Sequence, residues 1–149
     1  MKSVIQRVSS ASVQVNNKMI STIQNGYLIL LGIEKNDDQI DIDYLVRKTI
    51  NLRIFEDSEK KMNSSIKDIN GTILVVSQFT LCSNTKKGNR PSFINAAEPK
   101  FANQMYQQYC KQLEFNNIKV EQGVFGANMQ IALVNDGPVT IILDSNIKS

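Results

Sequence analysis

Apolar and polar residues alternate along the first third of the chain in the manner of β-strands. Residues 4–8 alternate, and residues 13–15 continue the pattern after a serine-rich stretch. Asn16-Asn17 is typical of a turn, and Asn25-Gly26 predicts a hairpin before the next strand. That strand, residues 27–33, is apolar on both faces, so we expect it in the middle of a sheet with both faces covered.

Two later stretches repeat apolar residues at the spacing of an amphipathic helix. Residues 36–38 (NDD) offer a cap to the first stretch, and Pro99 suits the first turn of the second. The apolar stripes are Ile42, Leu45, Val46, Thr49 and Ile50 in the first, and Ala102, Met105, Tyr106, Tyr109, Cys110 and Leu113 in the second. Each stretch therefore predicts a helix with one buried face.

The rest of the chain predicts further strands. Residues 52–55 indicate a short strand, and Asn70-Gly71 turns the chain into a β-branched, buried strand over residues 72–77. More strands follow, over residues 119–124, 129–134 and 139–143. The sum is an α+β or α/β protein, with a single domain over residues 1–149. We expect its mixed, mostly antiparallel and barrel-like sheet to carry two main helices.

Composition narrows the class of protein. The hydrophobic fraction of 42% and the charged fraction of 21% are those of a soluble globular protein. No run approaches the roughly 18 apolar residues that span a bilayer, and the N-terminus reads as a strand rather than as a signal peptide. We therefore expect a cytoplasmic protein that does not contact a membrane. The net charge of +3 permits an anionic partner without requiring one.

The side chains that the sequence lacks limit its chemistry. The chain has no histidine, which most often serves as a base near neutral pH. Cys82 and Cys110 form no CxxC pair, so we expect two free thiols rather than a zinc site. The sequence thus predicts neither a metal nor a cofactor.

A predicted buried strand ends in the polar segment Ser77-Gln78-Phe79-Thr80. Backbone N–H groups just beyond a strand end can remain free to bind an anion. The alternative is that the hydroxyls of Ser77 and Thr80 satisfy nearby backbone groups. Thr80 as a covalent nucleophile would need a base, and none lies near it in sequence. Catalysis by positioned hydrogen-bond donors, with the substrate supplying its own hydroxyl, requires fewer groups that the sequence does not show.

Residues 135–140 surround a Gly137-Pro138 pair. Glycine lets another molecule approach the backbone closely, and the bond before a proline adopts the cis form at modest cost. Together they would make a rigid tip of bare backbone. The alternative is an ordinary hairpin turn between two strands, because Asp-Gly is a frequent hairpin signal.

A polar loop over residues 82–95 carries Lys86, Lys87 and Arg90 around Gly88. Such a cluster of cations could grip phosphates, and long loops in compact domains are usually functional or mobile. The alternative is a solvated basic loop without a ligand.

Several stretches together resemble the D-aminoacyl-tRNA deacylases of the bacterial and eukaryotic type over essentially the whole chain. The matching stretches are residues 5–8 (IQRV), 51–55 (NLRIF), 77–81 (SQFTL), 87–93 (KGNRPSF), 123–129 (GVFGANM) and 135–140 (NDGPVT). The resemblance implies an enzyme that hydrolyses the ester between a D-amino acid and the 3′-terminal adenosine of tRNA. It also implies cleavage of glycine mischarged on tRNA, and a homodimer.

The resemblance assigns roles to particular residues as well. It implies a cis Gly137-Pro138 tip that is braced by Arg7, enters the active site of the partner subunit and blocks L-amino acids. Residues 77–80 would line the pocket, with Gln78, Phe79 and Thr80 as the catalytic segment and Ser77 as a substrate contact. Met129 lies on a second pocket-lining stretch. Lys86, Lys87 and Arg90 are the candidate tRNA contacts.

Two other classes of function stay open on the residues alone. The basic loop and the positive balance also suit a nucleic-acid binding module without catalysis, whose affinity would fall with salt. The same pocket would also suit a small-molecule esterase or amidase. Cleavage of free D-amino acid esters as fast as of charged tRNA would favour that third class.

Overall fold

A long N-terminal strand is the centre of the sheet. Strand β1 (Lys2–Val15) pairs antiparallel with β3 (Gly26–Gly32) over its first half and with β2 (Lys18–Ile23) over its second half. Strand β8 (Gln130–Asp144) pairs antiparallel with β1 along nearly all of its length. The computed structural model describes residues 1–147, in which Asn16 and Asn17 have the positive φ angles of the predicted turn.

The other side of β3 begins the parallel part of the sheet. Strand β6 (Thr72–Ser77) pairs parallel with β3, and β7 (Lys119–Gln122) pairs parallel with β6. The hydroxyl of Ser21 on β2 donates to the carbonyl of Gln122 on β7, which joins the two ends of the sheet. The predicted mixed, barrel-like sheet is therefore confirmed as a nearly closed barrel. Two short strands, β4 (Phe55–Glu56) and β5 (Met62–Ser64), form a separate hairpin.

Both predicted helices are present and bury the predicted stripes. Helix α1 (Gln39–Asn51) begins with a capping box between Asp38 and Asp41, and helix α2 (Pro99–Phe115) begins with its proline. The buried stripe residues are Ile42, Leu45, Val46 and Thr49 on α1 and Ala102, Met105, Tyr106, Tyr109, Cys110 and Leu113 on α2. No helix among residues 1–147 is long and apolar enough to cross a bilayer.

The central strand β3 is covered on both faces, as its sequence predicts. Tyr27, Ile29 and Leu31 point into the core between the sheet and the helices, while Leu28 packs into a second core with Leu74. Full burial of such side chains stabilises the fold by about 1.5–3 kcal/mol each. The two cores fix the ends of β3 and β6, where the candidate site lies.

Three local predictions are wrong. Asn25-Gly26 does not form a hairpin, because β2 and β3 both pair with β1 and not with each other. The strand predicted over residues 52–55 begins only at Phe55. The strands predicted over residues 129–134 and 139–143 are one continuous strand, β8, since both halves pair with β1.

Candidate active site

A cavity of about 480 Å³ lies where β3 and β6 end and α2 begins. Three groups of residues form its walls: the strand ends, the start of α2 with the residues before it, and the segment after β7. The lining residues are Leu31, Ile33, Val76, Ser77, Gln78, Phe79, Ala96, Ala97, Pro99, Ala102, Phe125, Gly126, Ala127, Asn128, Met129 and Ile131. Its volume is that of an ordinary small-molecule site.

The polar segment after β6 turns sharply against β3. The N–H of Gln78 donates to the carbonyl of Leu31 at 2.8 Å and extends the parallel ladder by one bond. A short 3-10 turn, Phe79–Cys82, follows at once. Gly32 makes the close approach possible, because a Cβ at that position would lie 2.9 Å from the Cβ of Leu81. The register of β3 and β6 thus decides where the turn faces.

The turn leaves backbone donors without partners beside the cavity. The N–H groups of Phe79 and Thr80 have no hydrogen-bond acceptor among residues 1–147, as expected for the first residues of a helical turn. Phe79 lines the cavity, whereas Thr80 is exposed at its edge and accepts a bond from the side-chain amide of Gln78. These free N–H groups can bind a developing anion.

The opposite wall is held by a buried tyrosine. The ring of Phe125 packs on the ring of Tyr106 with centroids 5.8 Å apart, and the Tyr106 hydroxyl donates to the carbonyl of Val75 at 2.7 Å. Burial raises the pKa of Tyr106, so this hydroxyl stays a neutral donor. The wall continues to Met129, which also lines the cavity.

No lining side chain of this cavity, as described over residues 1–147, is ionisable. Cys82 lies just behind the lining, and burial followed by the carboxylate of Glu34 raises the pKa of its thiol to about 11. A thiolate nucleophile is therefore not present at neutral pH. The described residues also contain no group of three or more Cys, Asp or Glu side chains that could hold a metal ion.

The Gly137-Pro138 pair sits on a large bulge in β8. Gln6 pairs with Thr140 and Val8 pairs with Asn135, so four residues of β8 stand opposite Arg7 alone. The amide of Asn135 closes the base of the bulge, donating to the Thr140 hydroxyl at 3.0 Å. Asp136, Gly137 and Pro138 are exposed at its tip, and the Gly137-Pro138 bond is cis. The alternative of a hairpin turn is thus wrong.

Arg7 supports this bulge from inside the protein. The residue is 7% exposed, and its Nε and Nη1 donate to the carbonyls of Asp136 and Ile54 at 2.8 and 2.6 Å. The Asp136 carboxylate lies 3.9 Å from the Arg7 Nε and is mostly exposed. Arg7 therefore ties the bulge to the segment before β4 through main-chain carbonyls.

The basic loop lies outside the cavity. Asn84 and Ser92 close its base with reciprocal backbone bonds of 2.8 and 2.9 Å. Lys86, Lys87 and Arg90 are exposed beyond that base. A ring contact between Phe93 and Phe79 joins the loop to the candidate catalytic segment, with centroids 5.0 Å apart.

The predicted site residues therefore fall into three places. Ser77, Gln78, Phe79 and Met129 meet in one cavity, with Thr80 at its edge. Arg7 and the Gly137-Pro138 tip form a second place, and the basic loop is a third. Sequence reasoning missed the wall that contains Ala96, Ala97 and Ala102. Small apolar side chains have no functional groups that would indicate a site. Their position on either side of Pro99, at the start of α2, was the one indication of this wall.

A comparison with solved structures finds a close structural relative of this chain. The fold is similar to that of a solved structure described as c-Myc DNA Unwinding Element Binding Protein. The two share a TM-score of 0.91 and 43% identity over 97% of this chain and 98% of that one.

The family follows from the sequence comparisons. Residues 4–144 match the model of the D-Tyr-tRNA(Tyr) deacylase family, and the chain belongs to this family. The D-aminoacyl-tRNA deacylase of Flavobacterium psychrophilum is 58% identical over 99% of both chains. That of Finegoldia magna is 53% identical over 97% of this chain and 98% of its own.

Proposed function

We propose that this protein hydrolyses the ester between a D-amino acid and the terminal ribose of tRNA, releasing the free D-amino acid and tRNA. Membership of the family supports the deacylase activity itself. One observation carries the assignment of the site: the free N–H groups of Phe79 and Thr80 lie on the turn that contributes Phe79 to a cavity whose lining has no ionisable side chain. Such a site suits chemistry by positioned donors.

The free N–H groups would hold the oxyanion of the reaction. Water adds to the ester carbonyl carbon, and the carbonyl oxygen takes the negative charge of the tetrahedral intermediate. Collapse of the intermediate then breaks the bond to the ribose oxygen, which leaves with a proton. One such donor typically contributes about 10²–10³ in rate. The backbone N–H of Gln78 is not available to the oxyanion, because it donates to the carbonyl of Leu31. Gln78 would therefore take part in catalysis through its side-chain amide, which donates to the Thr80 hydroxyl.

The substrate supplies the missing proton carrier. With no ionisable side chain in the lining, the vicinal 2′-hydroxyl of the ribose is the nearest group able to orient water and pass a proton to the leaving oxygen. Catalysis is then assisted by the RNA itself. This assigns positioning to the protein and proton transfer to the substrate.

Thr80→Ala is expected to lower kcat for D-tyrosyl-tRNA by no more than about tenfold. The Thr80 hydroxyl accepts a bond from Gln78 at the cavity edge, and loss of one such bond weakens positioning by about 0.5–1.5 kcal/mol. Single-turnover rates of wild type and variant measure the loss. A fall of several orders of magnitude in a folded variant that still binds substrate would make Thr80 a nucleophile.

The Gly137-Pro138 tip would be the chiral filter of a homodimer. The tip is exposed and does not line the cavity of its own chain, so a second copy offers the cavity that it enters. Main-chain carbonyls there would contact the Cα and amine of the substrate and exclude an L side chain by clash. Glycine has no side chain to clash, so mischarged glycyl-tRNA would also be cleaved. Arg7 braces the tip from below.

The basic loop would hold the RNA, as part of translation quality control in the cytoplasm. Lys86, Lys87 and Arg90 are exposed on one loop that contacts the catalytic segment. Cations so placed suit the phosphates next to the terminal adenosine.

A paired assay with D-Tyr-, L-Tyr- and Gly-charged tRNA at one salt concentration tests the function. We expect D-Tyr-tRNA and Gly-tRNA to be hydrolysed and L-Tyr-tRNA to react about 100-fold more slowly, because overpacking a closed site costs about 1–3 kcal/mol. Equal rates for the D and L esters would contradict the filter.

A nucleic-acid binding module without catalysis is the second candidate. The exposed cations of the basic loop favour it, and the name of the similar solved structure describes a DNA-binding protein. Tight, salt-dependent RNA binding without loss of any D-aminoacyl ester would support this candidate over the deacylase.

A further inference from the structure

Phe93 connects the basic loop to the catalytic segment through a ring contact with Phe79. The rings of Phe79 and Phe93 meet edge to face at 68°, with centroids 5.0 Å apart. Both rings are accessible, with exposed fractions of 58% and 37%. The backbone of Phe79 supplies a free N–H beside the cavity. The contact therefore acts on the residue whose donor would hold the oxyanion.

The hydrogen-bonded base of the loop lies next to Phe93 in the chain. The reciprocal bonds between Asn84 and Ser92 close the loop immediately before Phe93. On the other side, the N–H of Ala96 donates to the Phe93 carbonyl at 2.9 Å, and the N–H of Ala97 donates to Ile33 at 3.0 Å. A displacement of the loop tip would thus reach the Phe93 ring through its neighbour Ser92. The segment after Phe93 would stay in place, because Ala97 is bonded to Ile33 of the barrel.

The loop tip has charges that a ligand can hold. Lys86, Lys87 and Arg90 form no ion pair with a carboxylate in the part of the chain that the structure describes. No acidic residue occurs between Ser83 and Ala97. RNA phosphates would be the natural counter-ions of such a loop and would fix its position when bound.

We propose that Phe93 is a positioning residue that transmits RNA binding to the catalytic segment. With phosphates held by the loop, the Phe93 ring sets the position of Phe79 and aligns the free N–H groups with the ester carbonyl. The inference rests on the proposed deacylase function. It makes the RNA body contribute to kcat as well as to affinity.

The test compares two substrates and three variants. The substrates are D-tyrosyl-tRNA and D-tyrosyl-adenosine, which has the same ester without the phosphates. Phe93→Ala removes the ring contact, and Ile94→Ala is the matched control, since Ile94 is on the same loop and 71% exposed. For Phe93→Ala we expect kcat on D-tyrosyl-tRNA to fall about tenfold, KM to stay within about twofold and kcat on D-tyrosyl-adenosine to stay unchanged. Ile94→Ala should leave all these values at wild type, and Phe93→Tyr should restore them.

Each other result overturns the inference in a distinct way. An equal loss of kcat on both substrates would mean that Phe93 only packs locally, and a rise in KM alone would mean that it contacts the substrate. An unchanged kcat would mean that the ring contact is idle. Failure of the wild-type chain to hydrolyse D-tyrosyl-tRNA would instead overturn the proposed function itself. Equal thermal unfolding midpoints for the two alanine variants exclude a folding defect.

Discussion

Gly137→Ala is expected to lower hydrolysis of D-tyrosyl-tRNA about 100-fold and to narrow the D-to-L rate ratio at least about tenfold. A Cβ at Gly137 would lie 2.9 Å from the backbone N of Val139 and 3.1 Å from the Nη2 of Arg7, at a φ of +145°. The N–H of Val139 is held by Asn135 at 2.8 Å, so the tip must move instead. A misplacement of about 1 Å near the reacting atoms lowers the rate about 100-fold.

The stability of the fold should change less than the activity does. A residue forced into a sparsely populated backbone region costs about 1–3 kcal/mol, which chemical denaturation measures. Gly88→Ala is the matched control, because Gly88 has a φ of +106° but an added Cβ would meet no atom within 4 Å. We expect Gly88→Ala to keep the wild-type D-to-L ratio. A Gly137→Ala variant with full activity and full discrimination would reduce the tip to a structural bulge.

Replacing the 2′-hydroxyl of the terminal ribose by hydrogen is expected to slow the enzymatic hydrolysis of D-tyrosyl-tRNA by about 10²–10⁴. That is the usual contribution of a positioned general acid or base, and the lining of the cavity offers no ionisable side chain in its place. Single-turnover rates with tRNA ending in 2′-deoxyadenosine, charged at the 3′ position, measure the loss. An unchanged enzymatic rate would contradict catalysis by the RNA.

Two controls separate this effect from its trivial causes. The 2′-hydroxyl also changes the intrinsic reactivity of the neighbouring ester, so each enzymatic rate is divided by the spontaneous rate of the same substrate. The deoxy substrate should also bind with a KM close to that of the ribose form, since the proposed role of the hydroxyl lies in the transition state. A large rise in KM alone would assign the hydroxyl to binding.

The elements with strong periodic signals were predictable from the sequence. Both helices follow from their apolar stripes, and Pro99 marked the start of α2 because a proline lacks the N–H that a first-turn residue does not use. The covered strand β3 followed from its apolar faces. These signals are local, and burial of one face is enough to produce them.

Features that depend on distant pairing were not predictable. Asn25-Gly26 has the composition of a hairpin turn, but β1 lies between β2 and β3 in the sheet. The residues around Asn25-Gly26 contain no information about that strand order. The bulge at Gly137 likewise depends on the register between β1 and β8, in which Arg7 takes the place opposite four residues. The cavity wall at Ala96 and Ala97 was missed because small side chains show neither charge nor period.

The pocket has no acid, base or active thiol among its described lining residues, and this composition limits unwanted hydrolysis of other esters. If the 2′-hydroxyl completes the reaction as proposed, the protein alone would be inert toward most esters, since that group arrives only as part of a nucleoside. Metabolites and lipids that lack a neighbouring hydroxyl would then enter and leave the pocket intact. Selectivity of this kind would arise because the protein and the RNA each supply part of the catalytic groups. It would require no separate mechanism that inhibits the protein.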